Sequence, residues 1–266
     1  VLLEVECLSG LADAINVTDG AGAKSHMSAL ATAAILAQNG IEPILQFTTR
    51  DRNRIAIQGD LLGGWALDIP NILCLYGDEV KGGDQPDTKE VRDLDTIGIL
   101  KTAHDIKTKK MYPSGRKIND APEFFIGGAD TPFKVNNDFD GSNLMKKIEA
   151  GVEFFQTQYA FDENILKNYM LKLNELHITD KAYFIIGLGV IKSAKSARWM
   201  NKNLFGINIP EEIINRIEQS NDESLEGRKI CIELVEKYKS IEGVSGIHLM
   251  GYKQEKEIAS VISHFK

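Results

Sequence analysis

The 266-residue sequence is poor in cysteine and has no long hydrophobic run. Its three cysteines, Cys7, Cys74 and Cys231, form no CxxC pair and no metal-ligand spacing, which predicts a protein of the reducing cytoplasm. No apolar stretch approaches the roughly 18 residues of a membrane span, and no secretory signal is recognisable. We therefore expect no membrane partner.

Positive charge is also scarce. Lysine and arginine number 31 against 38 acidic residues, and a net charge of -7 argues against nucleic acid as a partner. The five histidines show no HxxxH spacing, so no metal site is expected. The sequence lacks the GxSxG motif of serine nucleophiles. It also has no GxGxxG turn after a strand, which disfavours a dinucleotide-binding doubly wound sheet.

What the sequence does contain is a regular alternation of apolar strand patterns and amphipathic helix patterns. Such alternation implies parallel strands joined by crossover helices. The predicted strands end near Thr18, Thr48, Tyr76, Ile126, Thr157, Ile186 and Leu249. A hydrophobic content of 43% is enough for a large core, and the chain length suits one α/β barrel of about 250 residues.

A closed barrel of this kind has eight strands, and seven are visible. The chain starts at Val1 inside a helical pattern that Gly10 closes, so we expect the first strand to precede Val1. We predict α/β fold class, a TIM-type (β/α)8 barrel, with a single domain over residues 1–266. A doubly wound open sheet is the alternative.

The centre of the prediction is the segment from Leu73 to Val80. Its apolar run ends abruptly in Gly77-Asp78, which predicts a buried strand with a carboxylate at its carboxyl end. In α/β barrels chemistry takes place at this end of the strands, so Asp78 is the first candidate for a functional residue. A simple turn also explains a Gly-Asp pair.

Most other predicted strands are likewise followed by polar residues or glycine. The strand predicted at Glu123–Ile126, for example, runs directly into Gly127-Gly128. The remaining residues of this kind are Thr18, Asp19, Gln46, Thr48, Tyr76, Gln156, Gln158 and Gly187. Each is weak evidence alone, but together they indicate a ligand site at one edge of the sheet.

A second cluster lies at the start of a predicted helix. Asn143, Lys146 and Lys147 share one helix face close to Asp140. Backbone N–H groups and the helix dipole favour an anion at such a position, and lysine suits phosphate. An ordinary solvated helix face is an equally good explanation.

Several motifs resemble the methylenetetrahydrofolate reductase family, and the resemblance covers essentially the whole chain. They are DAINVTDGAG, EPILQFTTRDRNRIAIQGDLLG, NILCLYGDEVKGGDQP, VRDLDTIG, FFIGGA, LMKKIEAGVEFFQTQYAFD and GVSGIHLM. The resemblance implies an eight-stranded barrel that holds FAD. It also implies hydride transfer from NADH or NADPH to the flavin and then to methylenetetrahydrofolate.

The resemblance also implies roles for individual residues. Asp78 matches the family's aspartate beside the flavin and the folate, which makes it the implied catalytic residue and a binding residue for both. Gln158 matches a glutamine that touches folate and nicotinamide in turn. The other implied flavin-binding residues are Thr18, Asp19, Ala21, Gln46, Tyr76, Gly77, Asp93, Asp95, Gly127, Thr131, Asp140, Asn143, Lys146 and Lys147.

The sequence departs from the family pattern at several positions. The family's general acid, a glutamate on the first strand, would precede Val1 or be lacking. Gln46 and Tyr76 stand where some members have histidine and arginine, and Ala194 stands where some have an aromatic residue. The nicotinamide preference stays open. So do the reverse reaction, methyltetrahydrofolate oxidation, and a flavin- or pterin-binding barrel that depends on a partner subunit. A homo-oligomer is implied by resemblance.

Overall fold

The computed structural model describes residues 1–136 and 138–266. Its strands are β1 Ile15–Val17, β2 Pro43–Thr48, β3 Asn71–Leu75, β4 Phe125–Asp130, β5 Phe154–Tyr159, β6 Tyr183–Leu188 and β7 Val244–Leu249. Their order in the sheet follows their order in the chain. The pairs β1–β2, β2–β3, β3–β4 and β6–β7 are parallel.

Helices precede, connect and follow these strands. They are α1 Leu2–Val5, α2 Ala29–Gln38, α3 Arg54–Ala66, α4 Thr96–Lys109, α5 Ser142–Glu149, α6 Glu163–Glu175, α7 Ala194–Asn203, α8 Glu211–Glu218, α9 Glu223–Tyr238 and α10 Glu255–Ser263. Parallel neighbours joined by helices confirm the predicted α/β class and TIM-type fold. No helix of the described residues is both long and apolar enough to cross a lipid bilayer.

Helix starts follow from local sequence. Side-chain oxygens of Asn53, Asp95, Asp162 and Asp222 accept hydrogen bonds from the first backbone N–H groups of α3, α4, α6 and α9. These groups have no partner inside the helix, so an accepting side chain stabilises the first turn. Ser193 forms a reciprocal capping box at α7.

The chain divides into two compact units. Unit 1 comprises Val1–Leu3, Ala12–Gly128 and Met145–Phe154. Its core buries apolar side chains of β2, β3, α3 and α4, and Trp65 packs edge-on against Phe124 with ring centroids 5.9 Å apart. Cys74 is buried in this core, as predicted. The side chains of β3 are mostly buried, which is typical of strands in parallel sheets.

Unit 2 comprises Glu4–Leu11, Ala129–Leu144 and Phe155–Lys266. Phe155 and Phe184 stack with centroids 5.1 Å apart, and the buried Tyr238 hydroxyl donates to the Ala160 carbonyl at 2.7 Å. Cys231 is buried here, again as predicted. The expectations of a single domain and of a strand before Val1 stay predictions.

Two boundaries were predicted wrongly. β4 runs to Asp130, so Gly127 and Gly128 lie inside the strand and not at its end. A Cβ on Gly127 would lie 2.3 Å from the Phe154 ring, so close packing within unit 1 explains the glycine. The first predicted helix is the short α1 followed by a 3-10 turn at Glu6–Leu8.

Candidate active site

The carboxylate of Asp78 lies just beyond the carboxyl end of β3, where the sequence predicted it. Its Oδ2 accepts a hydrogen bond from the backbone N–H of Gly22 at 2.7 Å. The side chain is exposed, and no group in residues 1–136 and 138–266 donates to Oδ1. One oxygen is thus held by the protein and the other is available to a ligand.

Gly77 shapes the turn that carries this carboxylate. Its φ of +88° lies in the region that favours glycine, and a Cβ there would stand 3.1 Å from the Cβ atoms of Arg50 and Thr48. A side chain at this position would therefore be strained and crowded. The turn thus accounts for Gly77, and a functional role for Asp78 stays a prediction.

Arg92 reaches the same turn from the long polar loop. Its guanidinium lies over the Tyr76 ring, 3.8 Å from the centroid, and donates to the carbonyl of Tyr76 at 2.8 Å. Further bonds reach the carbonyls of Gly77 and Asp78. Glu90 pairs with Arg92, and the hydrogen bond from Arg92 lowers the pKa of Glu90 from its usual 4.5 to about 2.

Arg50, at the end of β2, is only 4% exposed. Its Nη1 donates to the carbonyl of Gly20 at 3.1 Å and to that of Asp78 at 3.4 Å. Its other nitrogens make two bonds to Asp51, and this pairing raises the pKa of Arg50. Four hydrogen bonds thus hold this buried guanidinium in place.

Asp19 also has structural partners. Its Oδ2 accepts from the backbone N–H and the hydroxyl of Thr48, both at 2.9 Å, and from Arg52 at 2.6 Å. Arg52 pairs in addition with Asp60. This cluster joins the ends of β1 and β2. A cofactor-binding role for Asp19 stays a prediction, as does one for the exposed neighbouring Ala21.

Other predicted site residues of unit 1 retain free polar groups. Thr18 is exposed, Gln46 is partly exposed, and neither side chain makes a hydrogen bond within the described part of the chain. Tyr76 is half exposed beside its arginine. Since β1, β2 and β3 are parallel neighbours, these three residues share one edge of unit 1 with Asp78.

Two aspartates of the long loop are engaged in local structure. Asp93 accepts three hydrogen bonds from Arg54, and these lower the pKa of Asp93. Asp95 accepts from the Gly98 N–H at the start of α4. Both interactions shape the loop that follows Asp78, and flavin contacts by these carboxylates stay predictions.

The lysine cluster forms the predicted helix. On α5, Asn143 and Lys146 are exposed and Lys147 is partly exposed. Asp140 accepts a hydrogen bond from the Ser142 N–H, so its carboxylate stabilises the first turn of α5. Exposed cationic groups on this helix are compatible with a phosphate ligand.

Two further predicted residues lie in unit 2. The side-chain oxygen of Gln158 accepts from the backbone N–H of Tyr159, which leaves its amide N–H groups to face other acceptors. Thr131 packs against Gly206, where a Cβ would meet the threonine methyl at 2.5 Å. Ligand contacts by Gln158, Thr131 and Gly127 stay predictions.

No group of three potential metal-binding side chains occurs in the described residues. Burial raises the pKa of Cys74 to about 12, which makes its thiol a poor nucleophile.

Sequence reasoning missed Arg50, Arg52 and Arg92 as parts of the site. The available signal was the TTRDRNR segment, which places charged residues directly at the end of a buried strand. Arg92 lies in the motif VRDLDTIG, but the motif gave it no role, because it belongs to a polar loop whose course the sequence pattern does not define.

Comparison with known proteins identifies similar sequences. A family profile described as Methylenetetrahydrofolate reductase matches residues 5–266. A Caenorhabditis elegans protein named "Probable methylenetetrahydrofolate reductase (NADPH)" is 25% identical over 244 residues, which are 90% of this chain and 34% of that protein. The chain thus spans about a third of the length of this curated relative.

Solved structures show the same fold at low identity. One, titled "Uncharacterized protein from Clostridium thermocellum binds two copies of 5-methyl-5,6,7,8-tetrahydrofolic acid", is 15% identical with a TM-score of 0.66 and covers 99% of this chain and 86% of its own. A structure of fungal beta-1,4-galactanases is 12% identical with a TM-score of 0.51, covering 93% of this chain and 80% of its own.

Proposed function

The chain belongs to the methylenetetrahydrofolate reductase family, and from this membership we propose that it reduces 5,10-methylenetetrahydrofolate to 5-methyltetrahydrofolate with FAD and NADH or NADPH. The observation that carries the proposal is the match over residues 5–266 together with a strand-end carboxylate, Asp78, that has one unbonded oxygen. The folate bound by the Clostridium thermocellum protein of similar fold supports a reduced folate as substrate.

The residues of unit 1 fit a flavin. Thr18 and Gln46 offer unpaired polar groups, and Tyr76 offers a half-exposed ring at the same edge. Such a combination of flat apolar surface and few polar groups suits a planar ring system. On α5, exposed Lys146 suits a phosphate. Bound FAD would supply the two-electron carrier, and the protein would supply placement and electrostatics.

Asp78 has the central role in the proposed mechanism. Its carboxylate at the substrate edge stabilises the cationic, ring-opened form of the folate by charge attraction. Its hydrogen bond to Gly22 keeps the carboxylate in one orientation during this step. Because this charge is already oriented, the protein does not have to rearrange when the reaction occurs.

Gln158, which lies in unit 2, has a proposed role of its own. Because its side-chain oxygen is occupied by the Tyr159 N–H, its amide nitrogen is the group that donates to a substrate. We propose that this donor binds folate and nicotinamide in turn. Opening of the folate ring also needs a proton donor for the folate nitrogen. Glu4 and Glu6 lie in α1 and the turn after it, and are not assigned this role.

The proposed setting is the cytoplasm, and the proposed assembly is a homo-oligomer. The free cysteines Cys7, Cys74 and Cys231 fit a reducing compartment.

The test is an anaerobic absorbance experiment on the purified protein with its natural N-terminus. A flavin spectrum that bleaches with NADH or NADPH and recovers with methylenetetrahydrofolate is expected. A flavin that neither nucleotide bleaches, but methyltetrahydrofolate does, would indicate the reverse reaction. A flavin that none of these reduces would indicate a partner subunit as electron source, and failure to bind FAD would contradict the proposal.

A further inference from the structure

The turn that carries Asp78 is held through its backbone by two arginines. Arg92 donates to the carbonyls of Tyr76, Gly77 and Asp78, at 2.8, 3.3 and 3.4 Å. Arg50 donates to the carbonyl of Asp78 as well, at 3.4 Å. Three consecutive carbonyl groups therefore face two guanidinium groups, which fixes the direction of each peptide unit in the turn.

Each arginine is fixed in turn by a carboxylate. Arg50 makes two bonds to Asp51, at 2.8 and 2.6 Å, and Arg92 makes two to Glu90, at 2.5 and 3.1 Å. The backbone of Arg92 has a φ of +40°, a conformation that residues with side chains rarely adopt. Such a conformation persists only where surrounding interactions maintain it, and it occurs often at functional sites.

Arg50 also connects the turn to the loop after β1. The nitrogen that bonds Asp78 also bonds the carbonyl of Gly20, and Gly22 in that loop donates to the Asp78 carboxylate. A Cβ on Gly83 would lie 1.9 Å from the Ala23 carbonyl oxygen, so the two loops pack with almost no space between them. The side chain of Asp78 and its backbone are thus tied to the same loop.

We propose that Arg50 and Arg92 are positioning residues for Asp78. Together they hold the turn so that Oδ2 of Asp78 keeps its hydrogen bond from the Gly22 N–H, while Oδ1 of Asp78 faces the substrate. They act through the backbone of the turn and touch neither substrate nor cofactor. This inference rests on the proposed function, because it assigns the two arginines to the step in which Asp78 acts.

The test replaces each arginine by lysine, which keeps the positive charge and removes the planar set of donors. In Arg92→Lys and Arg50→Lys, kcat for folate reduction is expected to fall about 10- to 100-fold, as for a misplaced catalytic group. The Kd for FAD, measured by quenching of flavin fluorescence, is expected to change less than about twofold in Arg50→Lys, because Arg50 does not hold the Tyr76 ring.

A double-mutant cycle separates positioning from general loss of structure. In an Asp78→Asn background, either lysine variant should lose little further activity, because the group it positions is already disabled. Arg216→Lys is the matched control. It removes similar paired bonds, to Glu226 and Glu233, and is expected to change no rate.

The amide proton of Gly22 provides a readout that does not depend on activity. In ¹⁵N-labelled protein, its chemical shift should move in Arg92→Lys and Arg50→Lys toward its value in Asp78→Asn, which marks a weakened bond to the carboxylate. The inference would be overturned if the Gly22 signal did not move. It would also be overturned if the activity losses of the lysine variants added fully to the activity loss of Asp78→Asn. A wild-type protein without folate turnover would contradict the proposed function alone, and the Gly22 shift would still decide on the arginines.

Discussion

The guanidinium carbon of Arg92 lies 3.8 Å from the centroid of the Tyr76 ring, and the same guanidinium donates to the Tyr76 carbonyl. Both the side chain and the backbone of Tyr76 are thus held by one residue sixteen positions later in the chain. Tyr76 nevertheless remains half exposed. A ring that is fixed and accessible at a strand end is well suited to contact a planar ligand.

Asp78→Asn removes the charge of the proposed catalytic carboxylate and keeps its shape. We expect FAD binding to persist and folate turnover to fall by about 10²-fold or more, the effect typical of a lost electrostatic contact in an active site. Steady-state kinetics and a flavin titration measure both quantities.

The control for this substitution is Asp87→Asn. Asp87 lies in the same loop, and its exposed side chain makes no hydrogen bond within the described residues. Unchanged turnover in Asp78→Asn would exclude a catalytic role for Asp78. An equal loss in both variants would point to the loop as a whole.

Gly77→Ala is expected to lower the free energy of unfolding by about 1–2 kcal/mol, since a residue with a side chain is strained at φ +88°. The new Cβ would also crowd Arg50 and Thr48. Urea denaturation measures the change. Gly82→Ala is the control, because a Cβ there meets no atom within 4 Å. Equal stability of the two variants would contradict the prediction, because it would mean that the turn can change its backbone conformation to accept a side chain without cost.

The pair between Glu90 and Arg92 predicts a pH dependence. Because the pKa of Glu90 is about 2 in the folded state and about 4.5 ordinarily, folding is favoured by ionised Glu90. This contribution is fully present above pH 4.5 and is lost as the pH falls toward 2. The wild type should melt at a higher temperature than Glu90→Gln at pH 7, and the difference should shrink below pH 4.5.

Thermal unfolding followed by circular dichroism from pH 7 downward provides the measurement for Glu90. Glu79→Gln serves as control, since its exposed side chain makes no hydrogen bond in the described part of the chain. A melting difference for Glu90→Gln that is the same at every pH would contradict the assignment.

Tyr169→Phe tests a buried hydrogen bond in unit 2. The Tyr169 hydroxyl donates to Asp130 at 2.8 Å, and desolvation raises the pKa of this tyrosine far above its usual range. Its removal should cost about 1–2 kcal/mol of unfolding free energy, because a partly buried carboxylate loses a donor. Tyr252→Phe, at an exposed position, should cost nothing measurable in the same denaturant titration. Equal values would show that Asp130 is satisfied without Tyr169.

The sequence motifs alone placed the chain in its family and implied a role for Asp78. Flavin contacts by Asp19, Asp93 and Asp95 stay predictions. The structure adds that these carboxylates bond Thr48, Arg54 and Gly98, respectively. A sequence motif can indicate that a carboxylate is required at a position. It does not show whether that carboxylate contacts a ligand, caps a helix or forms an ion pair.

The sequence by itself determined the alternation of strands and helices, because hydrophobic periodicity and helix-capping residues act between near neighbours in the chain. It also determined that a carboxylate follows β3, because Gly77-Asp78 directly ends an apolar run. Only the tertiary structure decided that β4 continues through Gly127, where the Phe154 ring needs the space, and that Arg50 and Arg92 hold the Asp78 turn. Those contacts join residues that are 14 to 28 positions apart, and the strand packing that brings them together is not encoded in any local pattern.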